Sequence, residues 1–258
     1  QNHGQTSIEV DHEWEHHPYN RYMPEAYSNY RDKMHKLVLR PDADRNRNLL
    51  RPGGWLRTPE EFYRHPKARK ARRNYYRYVV ARWGYSTNIM SFVLSSELEF
   101  TGEYWGRGAD RQYGIDDRDF ISKRWPRGVN KAVHTLNWHR EMASYIHKLD
   151  RGRHMVTTHF SHPIRGRHFW RLDEIAYTQS NAYSAFSQWK WFSGPNGPNN
   201  CIPAPVSLSQ YYDRYMSIYD KPSLVVEWGG HWLRNTIPHL EAELHTGTWA
   251  TVMTPMAG

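Results

Sequence analysis

From about residue 58 onward the chain alternates short, nearly continuous apolar runs with stretches whose apolar residues recur at helical spacing. That alternation constrains the fold more than any other feature, because strand, helix and strand in sequence build parallel pairs with right-handed crossovers. The runs at 88–95 (NIMSFVLS), 154–160 (HMVTTHF), 174–179 (EIAYTQ) and 223–228 (SLVVEW) read as strands, being too short and apolar for surface helices. Thr58-Pro59-Glu60-Glu61 reads as a helix start, with Thr58 as cap and Glu61 reaching back to it. Pro66 restarts a second helix that runs to about Trp83, where Gly84 suits the left-handed conformation that ends helices. Further helices are expected over 129–149, with Trp138, Met142, Tyr145, Ile146 and Leu149 on one face, and over 206–219 and 238–253.

A parallel sheet of this kind is either open and doubly wound or closed as an eight-stranded barrel, and the strand ends decide between them. Polar, chemically competent residues stand at the end of run after run: Glu97, His159, Asn181 with Tyr183, and Glu227. A common site fed by successive strand ends is the habit of a (β/α)8 TIM barrel. No GxGxxG or GxxxxGK fingerprint follows any strand, which removes the main reason to prefer a nucleotide fold. The expected architecture is therefore an α/β TIM barrel occupying residues 1–258 as a single domain, with the aperiodic, His-, Asn- and Tyr-rich residues 1–57 as a loop segment over its mouth. Clear strands number fewer than the eight that closure demands. Strands one, two and eight are not evident, so an incomplete barrel is expected, with a further chain or subunit as the partner that completes it.

Composition narrows the class. Aromatic residues reach 15% although hydrophobic residues are only 38%, which describes a folded, aromatic-rich domain and not a disordered chain. No apolar run approaches the roughly 20 residues of a membrane span. The single cysteine, Cys201, cannot close an intrachain disulfide and reads as a packing residue. The net charge of +9 is concentrated in Lys67 to Arg82, where Ala71, Tyr75, Tyr78 and Val79 recur at helical spacing. The segment reads as the basic outer face of an amphipathic helix; a tyrosine-interleaved patch binding a polyanion is the weaker alternative, and nucleic acid is not an expected partner. His12-Glu13-Trp14-Glu15-His16 spells HExxH, yet no apolar face flanks it and Pro18 follows, so no metal is expected there and His12, His16 and His17 read as hydrogen-bonding groups.

Glu97 and Glu227 each close an apolar strand, and a barrel could bring both to one mouth. Glycoside hydrolysis needs such a pair, one acid to protonate the leaving oxygen and one carboxylate to attack or to activate water. Taken singly, either residue could equally be paired with one of the many arginines. Sugar rings present apolar faces that stack on aromatics, so a cleft lined by Tyr183, Trp189, Trp191, Trp228 or Trp232 suits a polysaccharide.

The segments 77–105, 138–160, 173–183 and 221–230 together resemble strands four to seven of the clan-A glycoside hydrolases, the superfamily of cellulases and mannanases. The likeness covers about residues 50 to 258, and the opening NHGQ, with His3, is similar to the end of strand three. The resemblance implies a retaining hydrolase of β-linked polysaccharide or oligosaccharide, with Glu97 as acid/base, Glu227 as nucleophile and Tyr183 near the nucleophile. It implies substrate contacts from Ser96, His159, Asn181 and His3, no cofactor, and an extracellular or periplasmic setting. Ser96 stands where the family usually has Asn, and Asn181 where a His is common. Those departures, with the basic surface, motivate the alternative of a catalytically silent barrel acting as a carbohydrate-binding or structural subunit.

Overall fold

A computed structural model describes residues 14–31, 37–59, 61–98, 133–160, 166, 168–183, 208, 212–229 and 237–255. The chain divides into two compact units, one formed by Gln1–Met90 with Leu94–His154, the other by Ser91–Val93 with Met155–Gly258.

In the first unit, strand β1 (Tyr27–Arg31) pairs antiparallel with β2 (Leu37–Leu39). Tyr22, Ala26, Ala43 and Leu49 form a small core beside them, so the aperiodic segment carries a packed cluster of its own. Helices α1 (Glu61–Arg64), α2 (Pro66–Trp83) and α3 (Val133–Asp150) follow. Trp138 of α3 is fully buried and meets Tyr63 edge-on, with ring centroids 5.4 Å apart. Glu61 does reach back, but its Oε2 accepts from the backbone N–H of Arg57, one residue before the expected cap.

Helix α2 begins and ends where Pro66 and Gly84 place it, with His65 Nδ1 accepting from the Lys67 N–H at 3.1 Å. Gly84 is right-handed, with φ −64°, not left-handed as expected. Its glycine answers a close approach instead, since a Cβ there would lie 2.6 Å from the Val80 carbonyl oxygen. The buried face also differs from the expected one: Ala68 and Tyr76 point inward, while Tyr75 and Tyr78 are 51% and 57% exposed. The cause is the arginines on the packed flank. Arg69 and Arg73 both bridge to Glu141 of α3, and the Arg72 guanidinium lies over Tyr75 and Tyr76. Their aliphatic stems cover surface that a hydropathy pattern assigns to apolar residues.

The second unit holds the parallel strands. β3 (Ser91–Val93) pairs with β4 (Met155–Thr157), and β5 (His159–Phe160), β6 (Thr178–Tyr183) and β7 (Ser223–Gly229) pair in that order. One residue, Thr158, separates β4 from β5, so a single extended stretch pairs with β3 through its first half and β6 through its second. Spatial order among these strands therefore follows chain order with no reversal. The expectation is an incomplete barrel, and among the described residues the ladders form separate small sheets and no barrel closes. Strand limits move too. The run expected at 88–95 shortens to β3, and the one expected at 174–179 shifts to β6. Of the helix expected over 206–219, the described residues include the buried Leu208 and one π-helical turn, Tyr212–Met216. The last helix, α4, spans Ile237–Met253.

Alternation along the strands separates packing from chemistry. Phe160 meets Phe169 and Trp170, at 5.2 and 5.6 Å between centroids, while its neighbour His159 takes the opposite face of β5. Trp228 of β7 lies against Gly247 of α4, its indole occupying the space a Cβ would take.

Gly247→Ala is thus expected to lower stability by about 1 to 3 kcal/mol, the range for overpacking a filled core. A denaturant midpoint equal to that of the unsubstituted chain would contradict the packing. A second expectation concerns His154, buried at the end of α3. Its Nε2 faces the Ser86 carbonyl and its Nδ1 faces the Asp150 carboxylate, both at 3.0 Å, and these two acceptors raise its pKa above the ordinary 6.5. The protonated ring's contribution is complete below about pH 6.5 and is lost as pH rises through the elevated folded value. Urea midpoints should fall across that window for the unsubstituted chain relative to His154→Gln; parallel pH profiles for the two would refute it.

Candidate active site

β6 and β7 pair residue for residue through Thr178↔Ser223, Gln179↔Leu224 and Ser180↔Val225, after which Asn181 pairs with Glu227. Val226 is left over as a β-bulge. Strict alternation would turn Val226 toward the face of Leu224 and send Glu227 away from it. The extra residue shifts the phase, so Glu227 shares the face of Asn181 and Trp228 takes the side of α4, as bulges commonly re-aim a side chain.

On that shared face three expected site residues meet. His159 Nε2 donates to Asn181 Oδ1 at 2.8 Å, and Asn181 Nδ2 donates to Glu227 Oε2 at 3.0 Å. His159 and Asn181 are buried, whereas Glu227 is exposed. Two sheltered groups therefore orient a carboxylate that solvent and ligands can reach. An asparagine suits the middle position because its amide offers an acceptor to one neighbour and a donor to the other. An aspartate there would accept from His159 but oppose Glu227.

Gln179 was passed over in the sequence. It stands two residues before Asn181, hence on the same face of β6, and is buried with Oε1 unpartnered among the described residues. Period-two spacing from Asn181 is the signal that could have found it.

The remaining expected residues are placed as follows. Glu97 and Ser96 lie in the segment after β3, both half-buried, and Glu97 has φ +44°, a left-handed conformation uncommon for a residue with a side chain. Tyr183 closes β6 opposite Gly229. Trp228 packs on α4 and not on the face of Glu227. His3, Trp189, Trp191 and Trp232 lie outside the described residues, as do His12, Glu13 and Cys201. His16 ends a single 3-10 turn, Trp14–His16. The neighbouring His17 stacks on Trp14 at 5.0 Å, and burial, with the Arg72 and Arg51 charges, lowers its pKa to about 4. Among the described residues no group of three metal-ligating side chains converges, and no helix is long and apolar enough to cross a membrane.

No family model and no curated protein matches the sequence. Among solved structures, the chain is similar to a hyperthermostable endo-1,4-β-D-mannanase from Thermotoga petrophila, at 14% identity and a TM-score of 0.45 over 78% of this chain. The aligned part spans 54% of that mannanase, about half its length. A likeness of that degree assigns neither fold nor chemistry, and the strand order above stands on its own hydrogen bonds.

The hydrogen-bonded array makes a direct prediction. Asn181→Ala leaves the buried His159 without its acceptor and should cost about 1 to 3 kcal/mol, while Glu227→Ala, at an exposed carboxylate, should cost well under that. Equal losses in the two variants, measured by urea denaturation, would contradict the assigned burial.

Proposed function

We propose that the protein is a retaining glycoside hydrolase acting on a β-linked polysaccharide or oligosaccharide. The observation that carries the reading is the carboxylate of Glu227, raised on the end of a parallel strand and oriented by the buried Asn181 and His159. In the proposed reaction Glu227 attacks the anomeric carbon as the glycosidic C–O bond breaks, and Glu97 delivers its proton to the departing oxygen. Glu97, now a carboxylate, then takes a proton from water as that water displaces Glu227 from the sugar. Asn181 has a positioning role in both steps, since it holds the plane of the attacking carboxylate. The assignment of Glu97 draws on the sequence resemblance, and its left-handed backbone supports it, because strain of this kind concentrates at functional sites.

Hydrolysis of β-linked glucans, mannans, xylans and galactans should reveal turnover of at least one polymer, with product of retained anomeric configuration and loss of at least a thousandfold in Glu227→Gln. Glu97→Gly should also abolish turnover while leaving stability equal or higher, since glycine removes the cost of the left-handed backbone. Inverted product would overturn the two-step scheme. Glycan binding without turnover of any polymer would favour a silent carbohydrate-binding subunit instead.

A further inference from the structure

One buried group on the face of Glu227 has no role in the proposed reaction. Gln179 is 9% exposed, and its Oε1 has no hydrogen-bond partner among the described residues. Among the described residues of the second unit it is the one buried side-chain polar atom left in that state. Its neighbours in the sheet do not serve it. On one side Gln179 pairs with His159, whose Nε2 donates to Asn181 Oδ1 at 2.8 Å; on the other it pairs with Leu224, which carries no polar side-chain atom. The next residue on this face of β6 is Asn181, about 6.6 Å further along the strand, and its Nδ2 donates to Glu227 at 3.0 Å. Both of those donors are directed elsewhere, and one buried acceptor on the face is left over.

We infer that Gln179 is a substrate-binding residue that sets specificity, its Oε1 accepting a hydrogen bond from one free hydroxyl of the sugar seated beside Glu227. The identity of the ligand rests on the glycosidase reading; the place of the contact rests on the pairing of the sheet. A buried carbonyl oxygen requires a donor, and the exposed carboxylate of Glu227 marks where a ligand reaches this face. A sugar hydroxyl supplies that donor through a freely rotating O–H, whereas an anionic group would oppose both this oxygen and Glu227. The substrate class follows from the chemistry. It is a neutral sugar unit unsubstituted at one particular hydroxyl, and a unit lacking that hydroxyl is rejected because the site's own buried group then stays unpaired.

The test is calorimetric titration of the whole chain carrying Glu227→Gln, so that the ligand stays intact, with β-linked tetraoses of glucose, mannose, xylose and galactose. The tetraose that binds most tightly is then compared with analogues that each lack one hydroxyl. With Gln179 in place, loss of one hydroxyl should weaken binding at least about tenfold. Added Gln179→Met or Gln179→Leu should weaken the complete tetraose about tenfold and reduce that hydroxyl's effect to about twofold or less. Both variants should match or exceed the urea midpoint of the Glu227→Gln chain, since each removes an unpaired buried acceptor at nearly constant volume. Binding of no tetraose, or the same deoxygenation penalties in all three chains at every position, would overturn the inference. So would a lower midpoint in both variants with sugar binding unchanged, the mark of an oxygen served by ordered water. Turnover by the unsubstituted chain separates this claim from the catalytic one: hydrolysis without the Gln179-dependent preference leaves the glycosidase standing and removes this contact, and the preference without hydrolysis does the reverse.

Discussion

Val226 has no partner in β6, and because of it Glu227 falls opposite Asn181 instead of turning toward α4. The rest of the site depends on that displacement. With the strand in simple alternation, an aliphatic side chain would face His159 and Asn181, and the carboxylate would be driven into the packing occupied by Trp228 and Gly247. The bulge thus serves both faces of β7 at once: it gives one its acid and the other its indole. Ordinary pairing on either side of Val226 holds the bulge in place, from Ser223 to Val225 and again from Glu227 to Gly229.

Around this point the second unit is layered by the two-residue period of its strands. Phe160, Phe169, Trp170 and Val225 fill the packing layer, and His159, Gln179, Asn181 and Glu227 line the other. Keeping polar side chains inside a sheet is costly unless they bond one another. His159, Asn181 and Glu227 meet that requirement in series; Gln179 Oε1 has no partner among the described residues, which marks it as the group to follow when a ligand is bound.

Much of this was legible in the sequence, and the exceptions share a cause. Strand ends at His159, Asn181 and Glu227 could be read because apolar runs stop there, and Pro66 fixed the start of α2 by chemistry alone. β6 was misplaced by several residues because its own sequence, TQSNAY, is polar. Thr178 and Asn181 find partners across the sheet, Thr178 Oγ1 donating to Ser223 Oγ at 2.9 Å and Asn181 Nδ2 to Glu227 Oε2 at 3.0 Å, and hydropathy cannot see such bonds. The face of α2 was misjudged because arginine stems pack like apolar groups. The bulge could not be read at all, since an extra residue exists only relative to a partner strand.

The central claim, that the carboxylate delivered by the bulge is a nucleophile, is tested most directly by trapping it. An activated 2-deoxy-2-fluoro glycoside of a sugar that the protein hydrolyses forms its glycosyl-enzyme quickly and releases it slowly, because the fluorine disfavours both oxocarbenium-like transition states while the good leaving group restores the first step. Intact-mass measurement followed by peptide mapping should find one sugar per chain, esterified to Glu227. A label on any other carboxylate, or turnover of the natural glycan with no label formed, would contradict the account.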